Sequence, residues 1–451
     1  MGSNGIAMLK LKDNSSYESD AASLDEFLVL QPVANRNLSE LLDEQGHSLL
    51  VYPHSFRECK DGIGNGPLLT MQTNWKERQC TKVSLQLGNI AGFLGVDGYS
   101  YSILSRFSDD EEDFFLHYML QKVLCVNVVN LSHDMTSSTV FDFLLYLFPK
   151  MLNDAMAQGL YKAYRWKDYN DAHVRGTIDL NRHLKVNLPF HGKVAYHTRE
   201  FSYDNPVTEL IRHTIEYLSQ HTLGKALLVN DARTRDHVAA IRMATPAYNR
   251  LEREKVIRGN IRPVNHPYFS RYTALQKLCM AILRHDKMKY GGGGQKIHGV
   301  LFDVAYLWEE YLATILLEEG FKHPDNRRKT GRIYLAENNR LVRYPDFYRE
   351  EDELVVDAKY KFVVDERNDV HQLMAYMYYF KAQRGVFVLP STEVREQNTY
   401  KLLGHGKEKN AKLQEYFYLI PQWSDSYRQF VSAISQSEQE LRREFAKIGT
   451  G

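Results

Sequence analysis

Asp346 follows Pro345, and eleven residues later Asp357-Ala-Lys359 lies in a run where Val355, Asp357, Lys359 and Lys361 alternate with Val356, Ala358, Tyr360 and Phe362. At the two-residue period of a strand, Asp357 and Lys359 project from one face, which sets a metal-binding carboxylate beside a cation. Asp346 sits in the preceding strand-like run, and 349–353 reads as a solvated hairpin connection that brings the two aspartates together. Two carboxylates on adjacent strands suit Mg²⁺, a hard cation that takes oxygen ligands and keeps waters that phosphate oxygens can replace. With an ammonium to orient a water, the set meets the needs of phosphodiester hydrolysis: charge neutralisation, an activated nucleophile and a placed proton-transfer group. The spacing alone also fits an ordinary amphipathic hairpin with charged edges.

The flanking elements must position these groups. Residues 302–319 carry a helical stripe, Val304, Leu307, Trp308, Tyr311, Leu312 and Ile315, with Gly320 as a stop. Glu309 borders that stripe and is the candidate third acidic group, whereas Glu310 shares a side with Asp303 and Tyr306 and reads as surface. A second helix is expected over 369–381, where Gln372 and Tyr376 are four apart and share a face. Buried strands are expected at 385–389, stopped by Pro390, and at 416–420. The expected order is helix, three strands, helix, strand, strand.

That order, with Glu309, Pro345-Asp346, Asp357-Ala-Lys359 and Gln372-x-x-x-Tyr376, resembles the PD-(D/E)xK nuclease superfamily in its RecB-like form. The resemblance implies that Asp346 and Asp357 hold the metal, Glu309 completes or adjusts its shell, Lys359 serves the attacking water, and Gln372 and Tyr376 line the DNA side. A helix-surface glutamine and a packing aromatic is the other reading of that last pair. Upstream, Val174-Arg-Gly-Thr-Ile-Asp-Leu-Asn-Arg-His-Leu184 and Tyr196-His-Thr-Arg-Glu-Phe-Ser-Tyr-Asp-Asn-Pro206 look like the middle segment of McrC proteins, the nuclease subunits of McrBC-type restriction systems. Ile90-Ala-Gly-Phe-Leu-Gly-Val-Asp-Gly-Tyr-Ser-Tyr-Ser-Ile103 fits the front half of that family less specifically, and the first eighty residues have no counterpart. The likeness implies an Mg²⁺-dependent endonuclease of double-stranded DNA, with room for two ions and Mn²⁺ as a substitute. It also implies a separate partner, a GTP-hydrolysing AAA+ ring of the McrB class that carries the DNA-reading domain. A self-sufficient RecB-like nuclease and a non-catalytic activator of an AAA+ ring are the competing readings.

The division of labour agrees with what is missing from the sequence. No Gly-Lys-Ser or Gly-Lys-Thr stands in a phosphate-binding setting, so the chain is expected to bind no nucleotide itself. Gly62-Ile-Gly-Asn-Gly66 is followed by Pro67 and Leu68 and reads as a loop, and Gly291 to Gly294 as a hinge. Lys plus Arg total 57 against 56 Asp plus Glu, so a DNA surface must come from local clusters. The candidates are Arg327, Arg328 and Lys329 with Lys322, His323 and Arg332, and a second group of Arg250, Arg253, Lys255, Arg258 and Arg262. Such runs contact phosphates or are simply solvated. The four cysteines, Cys59, Cys80, Cys125 and Cys279, form no Cys-x-x-Cys pair, which argues against a zinc ribbon or a disulfide framework. His117 and His213 read as packing residues.

With 451 residues, 43% hydrophobic and 25% charged, the composition is that of a folded protein with more than one domain. An α/β (α+β) multidomain fold is expected: a strand-rich, partner-binding segment over 1–135, a mainly helical middle over 136–290, and a restriction-endonuclease-like segment over 295–451. A hairpin is expected around Asp97-Gly98, either as a probe into a partner ring or as an ordinary sheet element. Helices are expected at 113–128, 140–160, 207–219, 233–243 and 271–284, and the Ser-rich acidic run 13–25 is expected to be poorly ordered. No apolar stretch approaches the roughly 20 residues of a membrane span, and without a secretory signal the expected location is the cytoplasm.

Overall fold

Ile90–Val96 is apolar along nearly its whole length, as a strand covered on both faces must be. In the computed structural model it lies inside a five-stranded sheet ordered Met8–Lys12, Tyr99–Leu104, Ile90–Val96, Ile297–Asp303, His47–Tyr52. It pairs antiparallel with Tyr99–Leu104 through a turn in which Asp97 takes a φ of 44°, and antiparallel with Ile297–Asp303 on its other side. The expected hairpin therefore forms, as a central sheet element with both edges of its first strand taken. Gly92, at φ 131°, permits the close strand contact, because a Cβ there would stand 2.1 Å from the Val300 carbonyl oxygen.

A second sheet, Ser16–Glu18, Gln79–Leu87 and Leu69–Lys76, shares one core with the first through Leu11, Leu69, Val83, Leu85, Leu94 and Leu301. The expectation of disorder over 13–25 fails where the run is described. Ser16–Glu18 pairs with Gln79–Leu87, and Asp13 is fully buried against Arg106. Local composition could not reveal a partner so distant in sequence.

The structure describes residues 8–19, 23–43, 47–53, 66–76, 79–97, 99–109, 113–124, 140–229, 231–288, 297–326, 329–403 and 411–448. Arg327, Arg328, Cys59, Cys125, the glycines 291–294 and residues 62–65 lie outside them. The chain forms two compact units, Met1–Phe143 with Gly291–Gly451, and Leu144–Tyr290. Strand Ile297–Asp303 lies beyond the 295 boundary expected from sequence yet is an inner strand of the N-terminal sheet.

In the unit Leu144–Tyr290, helices Pro206–Leu218, Ala232–Ala244 and Arg271–Met288 stand close to their expected bounds. Asn205 caps the first of them, accepting from Val207 N and Thr208 N while Thr208 Oγ1 accepts from Asn205 N. The unit also holds an antiparallel hairpin of two nine-residue strands, Ala163–Asp171 with Val194–Ser202, that the helical expectation missed. Its strands alternate half-buried and exposed residues, with no row of buried apolar side chains on Ala163–Asp171 to signal a strand. His213 is buried, and burial with the charges of Arg253 and Arg212 lowers its pKa to about 4. His117, in the other unit, is lowered to about 3 by burial alone. Both are thus neutral packing residues. Cys80 is half-buried and Cys279 buried, and both are free thiols.

After Ile297–Asp303 the chain enters helix Val304–Leu316, two residues later than expected, because Asp303 caps it by accepting from Tyr306 N. A mixed sheet follows, ordered Phe347–Arg349, Leu354–Ala358, Arg384–Ser391, Lys412–Leu419, Asn398–Lys401. Leu354–Ala358 runs antiparallel to the first and parallel to the third. Helix Asn368–Phe380 covers one face, packing Leu373, Tyr376 and Met377 among Val355, Phe387, Leu389 and Leu413. Four strands, not three, separate the helices, since Ile333–Ala336 and Arg340–Arg343 form a hairpin of their own. Strand Arg384–Ser391 runs through Pro390, which was expected to stop it. Past Val388 that strand pairs only with Lys412–Leu419, so by alternation the Pro390 nitrogen faces the open side, where no ladder bond is lost.

Candidate active site

Asp346 stands just before strand Phe347–Arg349, and its Oδ2 accepts the Ala358 amide at 2.9 Å. That bond fastens its carboxylate to the strand that carries Asp357. Asp357 is fully buried, and its Oδ2 lies 2.8 Å from Lys359 Nζ. Both Asp357 carboxylate oxygens are buried, and among the described residues neither accepts a well-formed hydrogen bond, Oδ2 being met by Lys359 as an ion pair. A buried carboxylate oxygen without a partner is costly and marks a site meant to receive one. Lys359 Nζ also donates to Gln372 Oε1 at 3.1 Å and lies 3.6 Å from Asp369 Oδ1.

The electrostatics follow from this crowding. Burial first, and then the charge of Asp346, raises the Asp357 pKa to about 8 in spite of Lys359. Burial and then the charge of Glu309 raise that of Asp346 to about 7. Burial opposes the charge on Lys359, but Asp357 and Asp346 outweigh it and hold its pKa above the usual value. In the metal-free fold the lysine is therefore held as an ammonium, a hydrogen-bond donor.

Glu309 is half-buried and close enough to Asp346 to act on its charge. Among the described residues, however, no three His, Cys, Asp or Glu side chains are gathered to hold a metal ion by themselves. Glu309 thus stands near the two aspartates without joining them in a three-ligand set. The buried pair with an open oxygen nonetheless fits Mg²⁺, which is commonly held by one or two carboxylates and completes its shell with water and phosphate.

His323, read from the sequence only as one of a basic run, stands beside the two aspartates. Its Nδ1 donates to the Asp346 carbonyl at 2.8 Å, its ring stacks on Phe347 with centroids 4.5 Å apart, and its Nε2 lies 3.7 Å from Glu310 Oε1. Burial pulls its pKa down, but the bonds to Glu310 and the Asp346 carbonyl, with the charges of both glutamates, lift it to about 9. Glu310, expected to be plain surface, is a partner of that imidazolium. In sequence His323 is one member of a basic run with no fixed spacing to either aspartate, so no signal singled it out.

Gln372 and Tyr376 do share a helix face, as expected, but Tyr376 is fully buried. Its hydroxyl donates to the Tyr344 carbonyl at 2.8 Å and accepts from Gln372 Nε2 at 2.6 Å. The expected role of Tyr376 in lining the DNA side is therefore corrected: the pair braces the segment before Asp346 on one side and Lys359 on the other. Asp369, missed in the sequence, accepts Lys361 Nζ at 2.6 Å and the Asp365 amide at 2.8 Å. Lys329 is exposed, in a turn at φ 58°. Arg250, Lys255, Arg258 and Arg262 are exposed in the other unit, with Arg253 stacked over Tyr217. Among the described residues no helix is long and apolar enough to cross a membrane.

No curated protein matches the chain. Among solved structures it is similar to a refined half-complex from a tetradecameric assembly of Thermococcus gammatolerans McrB AAA+ hexamers with bound McrC, at 15% identity and a TM-score of 0.48, covering 98% of this chain and 100% of that one. It is also similar to a chain of the cryo-EM structure of the Thermococcus gammatolerans McrBC complex, at 14% identity and a TM-score of 0.31, covering 71% and 90%. A family model described as McrBC 5-methylcytosine restriction system component matches residues 85–390, well over half of the sequence and including every acidic residue of the candidate site. The chain belongs to the McrBC 5-methylcytosine restriction system component family.

Proposed function

We propose that this chain is the McrC-type subunit of its system, an Mg²⁺-dependent DNA endonuclease of the PD-(D/E)xK type that cuts double-stranded DNA when assembled with a GTP-hydrolysing AAA+ ring of the McrB class. The observation that carries the reading is the buried Asp346–Asp357 pair beside an ammonium, with both Asp357 carboxylate oxygens buried and lacking a well-formed hydrogen bond. Mg²⁺ or Mn²⁺ held by those two aspartates, alone or as one of two ions, supplies positive charge for the phosphate oxygens, where negative charge grows during displacement. Lys359, kept charged by its neighbours and aimed by Gln372 and Asp369, donates to the attacking water or to a phosphate oxygen. His323 holds the Asp346 backbone through its carbonyl, and Glu309 adds negative charge at the edge of the pair. The ring partner is proposed from the family, and a surface of the unit Leu144–Tyr290 supports it. Leu180, Leu184, Val186, Leu188 and Phe190, within eleven residues, are all exposed, the kind of apolar patch that marks a protein contact.

The test replaces Asp357 by alanine and follows two activities in the assembled complex, DNA cleavage and stimulation of the partner's GTP hydrolysis. Cleavage is expected to vanish while stimulation stays. Retained cleavage would remove the nuclease site from these residues, and cutting by the purified chain with Mg²⁺ alone would favour a self-sufficient enzyme.

A further inference from the structure

The catalytic strand has a second row of side chains that the chemistry does not use. Asp357 and Lys359 face the acidic centre, whereas Tyr360 and Phe362 alternate with Lys359 and Lys361 and meet a turn at the end of the N-terminal strand Tyr99–Leu104. The Tyr360 hydroxyl and Ser105 Oγ are 2.7 Å apart in the interior. The Arg106 guanidinium lies 4.9 Å from the Tyr360 ring centroid, and Phe107 packs against both Tyr360 and Phe362 at 5.0 and 4.6 Å. The turn itself is built on two buried acids. Asp13 accepts the Arg106 amide at 2.5 Å and Nε at 2.9 Å, and Asp113 accepts the Ser105 amide at 2.5 Å and the Leu116 amide at 3.0 Å.

The position of this clamp matters because the sheet runs out there. Strand Leu354–Ala358 ends one residue before Lys359, whose amide makes a last bond to the Val388 carbonyl at 3.1 Å. Among the described residues no ladder bond holds the backbone over 360–364. A lysine on a four-carbon stem reaches a fixed point only if its own backbone is fixed, and a shift of about 1 Å at a reacting centre costs roughly a hundredfold in rate.

We propose that Tyr360 is a positioning residue for Lys359, clamped by Ser105, Arg106 and Phe107, so that the N-terminal sheet sets the reach of the ammonium. The inference rests on the nuclease reading above. It makes the N-terminal sheet part of the catalytic apparatus without bringing any of its residues to the substrate.

The test uses the full chain assembled with its AAA+ partner, GTP and Mg²⁺, with 5-methylcytosine-containing plasmid and unmethylated plasmid side by side as probes. Tyr360→Leu removes the ring, Tyr360→Phe only the hydroxyl, and Ser105→Ala the other half of that bond. Tyr360→Leu is expected to slow single-turnover cleavage roughly tenfold to a hundredfold below its melting temperature, with DNA affinity unchanged. Tyr360→Phe, which keeps the ring, is expected to lose only a few-fold in rate against the wild type. In the metal-free chain, backbone hydrogen exchange over 358–362 is expected to speed up in Tyr360→Leu while that of Arg384–Ser391 stays as in the wild type. A folded Tyr360→Leu with wild-type cleavage overturns the proposal, and so does slower cleavage with wild-type exchange over 358–362. Should Tyr360→Leu not fold, Ser105→Ala and Tyr360→Phe are combined: each is expected to slow cleavage and the pair to do no more than either, and full additivity overturns the clamp. Asp357→Ala is the control. If it cuts like the wild type, the nuclease reading has failed; if it is silent while Tyr360→Leu cuts at full rate, only the clamp has.

Discussion

Replacing Asp357 by asparagine should kill cleavage and, in the metal-free chain, raise stability. The carboxyl moves from 3.8 in the unfolded chain to about 8 in the fold, through burial and then the charge of Asp346. A folded-state pKa raised in this way gives stability that is fully present below the unfolded value and lost as the pH rises through the folded one. Near pH 7 the fold must take up a proton, at a cost on the order of 4 kcal/mol from ~1.36 kcal/mol per unit. Asparagine keeps the shape and removes that cost. Lys359 exchanges the Asp357 carboxyl oxygen for an amide one and keeps Gln372 at 3.1 Å and Asp369 at 3.6 Å, so some of the gain is returned. A net gain of about 2 kcal/mol is expected near pH 7, shrinking to nothing near pH 4. The assay is thermal unfolding of wild type and Asp357→Asn across that pH range, in EDTA and in Mg²⁺. Mg²⁺ should raise the wild-type midpoint and leave the variant unmoved, since a cation that binds only the native state stabilises only the chain that can hold it. A variant that melts below the wild type in EDTA would refute the reasoning. Asp357 would then be a structural partner of Lys359 and not a seat held open for a cation.

Two further predictions concern the elements that support the site. Gly92→Ala would push a Cβ to 2.1 Å from the Val300 carbonyl oxygen at a φ of 131°, so it should cost about 3 kcal/mol or more, read as a lowered midpoint or loss of soluble chain. Tyr376→Phe strips the hydroxyl that links Gln372 to the Tyr344 carbonyl, which should cost about 1–3 kcal/mol in chemical denaturation. It should also lower the cleavage rate more than DNA affinity; a selective loss of affinity would return Tyr376 to the DNA surface.

What was legible in the sequence is what is local. Asp346, Asp357 and Lys359 fall on one hairpin, where a period of two and a short connection fix their proximity. The helix starts at Pro206 and Val304 fell within two residues of the 207 and 302 expected from the apolar stripe, because that stripe is local. His323 and Asp369 were not readable, since each reaches the site from another element with no fixed spacing. Tyr376 shows a subtler limit: periodicity placed it on the same face as Gln372, but which way the face points depends on the sheet beneath it. The hairpin Ala163–Asp171 with Val194–Ser202 escaped notice because neither strand carries the apolar alternation that a buried face imposes.

The first eighty residues carry none of the chemical motifs, yet they are not an appendage to the unit that does. Met8–Lys12 forms one edge of the N-terminal sheet and His47–Tyr52 the other, each parallel to its neighbour. Between those edges lies Ile297–Asp303, whose last residue caps the helix that carries Glu309 and Glu310. Asp13 pairs with Arg106, and Arg106 lies over the ring next to Lys359. An arginine and an aspartate buried together stabilise little against an apolar pair of the same volume, but either one alone is strongly destabilising. Such a pair is therefore worth having where it fixes a position. Here the position fixed is a turn against the segment that follows Asp357, the turn on which the proposed clamp of Tyr360 depends.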